Sequence, residues 1–168
     1  MGRGRGRLRI WSAALALVSF AVDQAQKLWM LESFDIGTRQ PVRVTGFFDL
    51  VLVWNRGISY GLFQQDEGPG RWLLVGFTLL AAIGLTIWML RAQSAMTVFG
   101  LALIVGGALG NGLDRLLRGA VPDFFHFHIG GYSWYVFNLA DVWIVAGVAV
   151  LLYDSIVSRP RNATKARQ

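Results

Sequence analysis

The sequence predicts an all-α integral membrane protein: four transmembrane helices in a single membrane domain over residues 1–168, with a small extracytoplasmic antiparallel β-sheet between the first two helices. Three observations predict it. The chain is 54% hydrophobic and only 15% charged, where a soluble domain carries about 25% charge. Its apolar residues gather into four runs near the roughly 20 residues a helix needs to cross a bilayer. Between the first two runs lies the only sizeable polar segment, and parts of it alternate at the period of a strand. Seven tryptophans suit a chain that meets two lipid–water interfaces, where such rings concentrate.

Residues 8–31 form the first predicted span, with a basic start and an apolar core from Ile10 to Val22. A cleaved signal peptide shares that start, but the helical pattern continues through Asp23, Gln24 and Lys27 rather than closing on a small-residue cleavage site. Asp23 and Lys27 are four apart, so they share a helix face and can pair, either as a helix-end ion pair or in holding a substrate. Residues 32–70 are cut by Gly37, Pro41, Gly46, Gly57, Gly61, Gly68, Pro69 and Gly70. Within them Val42/Val44 and Phe48/Leu50/Leu52/Trp54 recur at period 2, the mark of half-buried strands. Phe47, Phe48, Trp54, Tyr60 and Phe63 are expected to enter the interface or line a groove.

Residues 72–90 form the second predicted span, Arg91 to Ser94 a short turn, and residues 95–117 the third span. Gly100, Gly106, Gly107 and Gly110 on that third helix allow close helix contact. Residues 118–135 are expected as an extracytoplasmic loop and 136–157 as the last span, stopped by Pro160. The net charge of +6 is concentrated at the ends: Arg3, Arg5, Arg7, Arg9, Arg159, Arg161, Lys165 and Arg167 are half of the 16 basic residues. The positive-inside rule then places tails 1–7 and 158–168 in the cytoplasm, which requires an even number of spans. Such short clusters flanking apolar spans do not point to nucleic acid as a partner. Without cysteine, disulfide, thiol-nucleophile and Cys-metal chemistry are excluded.

The chemistry concentrates between Gly107 and Asp141, where Asn111, Asp114, Arg115, Asp123, Asn138 and Asp141 interrupt apolar sequence. Ionisable groups near membrane depth are costly and mark functional sites by default. Asn111, Asp114 and Arg115 stand at i, i+3 and i+4 and are expected to face one direction on the third helix, and Asn138 and Asp141, three apart, to share a face on the fourth. Asp114 beside Arg115 reads as structural, because a carboxylate next to a cation stays ionised and makes a poor general acid. Asp123 has only Val121, Pro122, Phe124 and Phe125 around it, and Asp141 only Leu139, Ala140, Val142 and Trp143. Apolar surroundings raise a carboxyl pKa, and two adjacent carboxyls share a proton. Such a pair can deprotonate a water with one member and protonate a carbonyl oxygen with the other. On residue types alone a proton or ion relay in a small proton-coupled transporter stays open, although no inverted repeat is visible. A non-enzymatic assembly or lipid-binding protein is a further alternative. His126 and His128, with Asp123, raise a metal reading; they are expected on opposite faces of a strand, lack the spacing of a helical zinc motif, and are read as interfacial hydrogen-bonding groups. Neither metal nor cofactor is expected.

Four motifs occur in order: Asp23-x-x-x-Lys27; Asn55-x-Gly57; Gly110-Asn111-x-x-Asp114-Arg115-x-x-x-Gly119-x-Val121-x-Asp123-Phe124; and Phe137-Asn138-x-Ala140-Asp141. Together they resemble lipoprotein signal peptidase, the signal peptidase II family, over nearly the whole chain. The resemblance implies a bacterial inner-membrane aspartic endopeptidase with its site near the outer face. Such enzymes remove signal peptides from prolipoproteins, cutting before a diacylglyceryl-modified cysteine. It implies that Asp123 and Asp141 are the catalytic pair, and that Asn55, Gly57, Asn111, Asp114, Arg115, Asn138 and Ala140 support or line the site. Asp23 and Lys27 would brace the first helix, and the sheet would form a cradle. The implied partners are the lipid-modified precursor and membrane lipids, with the enzyme monomeric. Ile58, Ser59 and Tyr60 depart from the family's usual small residues and Phe, and Pro122 replaces a common aliphatic, removing a backbone donor before Asp123.

Overall fold

The computed structural model describes residues 2–57 and 69–158; Tyr60, Phe63, Pro160, the departures at Ile58 and Ser59, and the basic residues from Arg159 onward lie outside these. Helix α1, Gly2–Leu28, runs into a five-residue π-helical turn, Trp29–Ser33, and a one-turn helix α2, Ile36–Arg39. Strands β1 (Val42–Arg43) and β2 (Phe48–Asn55) follow, then helices α3 (Pro69–Arg91) and α4 (Ala95–Arg118). Strands β3 (Val121–Ile129) and β4 (Tyr132–Phe137) lead into helix α5, Leu139–Val157. Four helical stretches are long and apolar enough to cross a membrane: Gly6–Ser33, Gly70–Arg91, Ala95–Arg118 and Leu139–Val157.

Helix α4 is the centre of the bundle and packs against α1, α3 and α5. Its apolar stretch is 61% buried, against 22% for the first two spans and 17% for the last. Small residues make this possible. At Gly107 a Cβ would stand 2.5 Å from the Ala140 carbonyl oxygen of α5, so only a glycine lets the two backbones meet there. The outward faces stay apolar, with Trp72, Leu80 and Val145 all well exposed, because lipid takes the place of a core on that side. Ser94 caps the start of α4, and Asp154 of α5 accepts hydrogen bonds from Ser94 Oγ (2.7 Å) and Thr97 Oγ1 (2.5 Å). The far end of α4 closes on Gly119 at φ 78°, a left-handed conformation that suits glycine.

The sheet is antiparallel throughout, in the order β1-β2-β3-β4. Only half of it comes from the 32–70 segment. Residues 118–135, expected as a loop, supply β3 and most of β4. Val136 and Phe137, expected to open the last helix, instead finish β4, and Asn138 is the N-cap of α5. The physical reason is legible in retrospect: two aromatic and β-branched runs flank Gly130–Gly131, whose φ values of 53° and 85° make a two-residue hairpin turn. Phe48 stacks on Phe127 at 4.7 Å, and Phe137 lies 5.7 Å from Phe125 and 5.9 Å from Phe127. Met30, Ile36 and the fully buried Phe124 form a small core that ties the end of the first helical span to β3. Pairing is irregular on both sides of β3: it shifts against β2 between Leu50 and Val53, and against β4 between His126 and His128.

Candidate active site

Asp123 sits on β3 and Asp141 in the first turn of α5, and Asn138 joins them. Its side-chain Nδ2 donates to Asp123 Oδ1 at 2.6 Å, and its backbone N–H donates to Asp141 Oδ2 at 3.2 Å. The other carboxylate oxygens are engaged as well: Asn55 Nδ2 donates to Asp123 Oδ2 (3.1 Å) and Asn111 Nδ2 to Asp141 Oδ1 (2.9 Å). An amide side chain can be placed either way round, so what orients it decides the chemistry. Here each carbonyl end is claimed by a donor: Asn138 Oδ1 by Asp141 N–H (3.2 Å), Asn55 Oδ1 by Gly57 N–H (3.1 Å), Asn111 Oδ1 by Lys27 Nζ (3.0 Å). All three NH₂ groups therefore face the carboxylates.

Lys27 is fully buried and has only donors to offer. Among the described residues it meets Asp23 Oδ2 (2.9 Å), Asp114 Oδ2 (2.7 Å) and Asn111 Oδ1. Asp23 and Asp114 are also fully buried, and each has a second anchor. Asp23 Oδ1 accepts the Ala140 backbone N–H at 2.9 Å, and Asp114 Oδ1 accepts Arg118 Nη1 at 2.5 Å. The expected face shared by Asp114 and Arg115 divides, since consecutive residues of an α-helix differ by about 100° in direction. Asp114 turns to Lys27 and Arg118. Arg115 donates from Nη2 to the Gly57 carbonyl (2.8 Å) and from Nη1 to the Asn111 carbonyl (3.4 Å), and Asp141 and Asp123 are the first two charges that act on it. Ala140 is fully buried with its carbonyl against Gly107, where a larger side chain has no room.

The eleven residues singled out from the sequence thus converge on one cluster spanning α1, β2, α4, β3 and α5. Sequence reasoning missed Gln24, which donates to Asp23 Oδ2 (3.0 Å) and the Gly110 carbonyl (3.2 Å), and Tyr135, whose phenol oxygen accepts from Asn55 Nδ2 at 3.0 Å. Gln24 lay beside Asp23 in the motif and could have been found on that ground. Tyr135 lies in an aromatic strand with nothing to mark it.

The two carboxyls differ in surroundings. Asp123 is 1% exposed, whereas Asp141 is half-buried. Burial pushes the Asp123 pKa up from 3.8 to about 7, with the Asp141 charge adding to it and the Asn138 and Asn55 donors working against it. His126 and His128 do not face opposite ways. Residues two apart on a strand share a face, and their rings lie 5.3 Å apart. His126 Nε2 is 2.6 Å from Ser133 Oγ, and His128 Nε2 is 2.9 Å from Asp49 Oδ2. Among the described residues no group of three or more His, Asp or Glu is arranged to hold a metal.

A model of the family described as signal peptidase (SPase) II matches residues 15–157, a stretch that contains every residue of this cluster. The chain belongs to the signal peptidase II family. Similar relatives include the lipoprotein signal peptidases of Methylorubrum extorquens (strain PA1), 57% identical over 145 residues and covering 86% of this chain and 85% of that one, and of Methylobacterium radiotolerans, 58% identical over 156 residues and covering 91% of each. A bacterial membrane enzyme solved by the in meso method matches the fold with a TM-score of 0.73 at 25% identity, over 89% of this chain and 92% of its own. The protein is therefore a multi-pass membrane protease of the signal peptidase II type, with four apolar helices and a four-stranded antiparallel sheet.

Proposed function

We propose that the chain is an aspartic endopeptidase of the bacterial inner membrane that removes the signal peptide of prolipoproteins, cutting before a diacylglyceryl-modified cysteine. The observation that carries the mechanism is Asn138 bonded to both Asp123 and Asp141, with one carboxyl buried and the other half-buried. The name lipoprotein signal peptidase, borne by relatives at 50–58% identity, supports the substrate class.

The more buried Asp123 holds the proton of the pair, and Asp141 is the carboxylate. Asp141 takes a proton from a water as the oxygen attacks the scissile carbonyl carbon, while Asp123 gives its proton to the carbonyl oxygen. The resulting diol collapses: Asp141 passes its proton to the leaving nitrogen, the C–N bond breaks, and the diol hydroxyl returns a proton to Asp123. Both carboxyls end as they began, with water consumed. Arg115, whose charge acts on both carboxyls, steadies the negative charge of the pair. The cluster sits where α4 ends and α5 begins, so a substrate anchored in lipid reaches it sideways from the bilayer. The basic tails support cytoplasmic termini, and with that orientation this end of the bundle lies at the outer face. The test is a gel-shift assay in detergent with a lipid-modified and an unmodified precursor. Cleavage of the modified precursor alone is expected; equal cleavage of both, or of neither, would overturn the substrate assignment.

A further inference from the structure

We propose that Tyr135 is a positioning residue of the catalytic pair, its phenol oxygen holding the Asn55 amide against Asp123. Both polar atoms of the Asn55 amide are engaged: Gly57 N–H donates to its carbonyl (3.1 Å), and its nitrogen donates to Asp123 Oδ2 (3.1 Å) and Tyr135 Oη (3.0 Å). Gly57 is in turn held through its own carbonyl by Arg115, so the phenol is the contact to Asn55 that comes from β4. The strand is shaped to deliver it. His126 pairs with Val136 and His128 with Ser133, so Trp134 and Tyr135 together stand opposite Phe127. A bulge of this kind re-aims side chains and is frequent beside active sites. Its neighbours point away: Tyr132 is 83% and Trp134 68% exposed, while Tyr135 is half-buried.

This inference rests on Asp123 as the acid. The groups acting on that carboxyl are Asp141 from α5, Lys27 from α1, Asn55 from β2 and Asn138 before α5; Arg115 from α4 lies within reach of it and of Tyr135. Asn55 is one of two donors that oppose the effect of burial. Loosening it leaves the proton on Asp123 to higher pH and spoils its aim at the carbonyl oxygen.

The experiment compares wild type, Tyr135→Phe and Tyr132→Phe on the lipid-modified precursor across pH. Phe keeps the ring and removes only the hydroxyl. Tyr135→Phe is expected to lower kcat about five-fold, the worth of one net hydrogen bond, with KM unchanged. Its alkaline limb should move up by about half a pH unit, and Tyr132→Phe should match wild type. The same upward shift should appear without substrate in the infrared carboxyl band that Asp123→Asn removes. A limb that stays put or moves down in Tyr135→Phe, with the wild-type limb near pH 7, overturns the role of Tyr135 and leaves the acid assignment standing. A wild-type enzyme with no alkaline limb in that region overturns the acid assignment itself, and this inference with it.

Discussion

Burial keeps a proton on Asp123 near neutral pH, and two consequences follow at the scale of that one residue. The folded pKa, about 7, lies above the ordinary 3.8. Activity that needs the protonated acid therefore falls as pH rises through about 7, which a kcat/KM profile would read as an alkaline limb. Stability moves in the same direction. Below about pH 4 both folded and unfolded states hold the proton; between about pH 4 and 7 only the folded state does, and stability drops as pH rises. Asp123→Asn should remove that component, so the thermal midpoint of wild type relative to the variant should decline across this window and level off above it. A constant difference would mean that the carboxyl is not raised. Asp23 and Lys27 were legible as a pair because four-residue spacing is enough to bring two side chains together. Asp114 was legible as structural but its partners were not: it pairs with Lys27 and Arg118 rather than with Arg115, and spacing along one helix cannot say that Lys27 waits on another. Tyr135 was invisible because a bulge, and not the alternation of the strand, directs it.

At the scale of elements, glycines on α4 decide how near the site-bearing segments come. A Cβ on Gly110 would run into the Asp23 carboxylate, the group that anchors the Ala140 N–H at the start of α5. Gly110→Ala should therefore cost about 1–3 kcal/mol of stability, the usual range for overpacking, and should lower kcat more than KM by shifting α5 and Asp141. Wild-type kcat in a folded Gly110→Ala protein would contradict this. The glycines were visible in the sequence as a close-packing signal, though not which partner each one meets. The β3–β4 hairpin went unread. Residues 118–135 were expected as a loop with no turn assigned at Gly130–Gly131, and Val136 and Phe137 are as apolar as the helix that follows, so composition alone ran them into the span.

Across the whole molecule, the Lys27 node links helices that are far apart in sequence. Asp23 on α1, Asp114 on α4 and, through Asp23, the first turn of α5 all converge on a cation with no exposed surface. Breaking a buried ion pair by removing one partner costs about 3–5 kcal/mol. Lys27→Met should show a loss of that order in detergent unfolding, with Asn111 free to turn its amide away from Asp141; unchanged stability would contradict the node. The four-helix plan was fully legible, because lipid demands long apolar runs and the chain has four. The sheet order was not, because strands from two distant segments pair only in three dimensions. In the proposed mechanism the two carboxyls act as one catalytic unit. Its most direct test is cleavage of a diacylglyceryl-modified prolipoprotein by wild type, Asp123→Asn and Asp141→Asn, each first shown to be folded by its thermal transition. The expected result is turnover by wild type and none by either variant. Near-normal turnover by either folded variant would contradict a catalytic role for the pair.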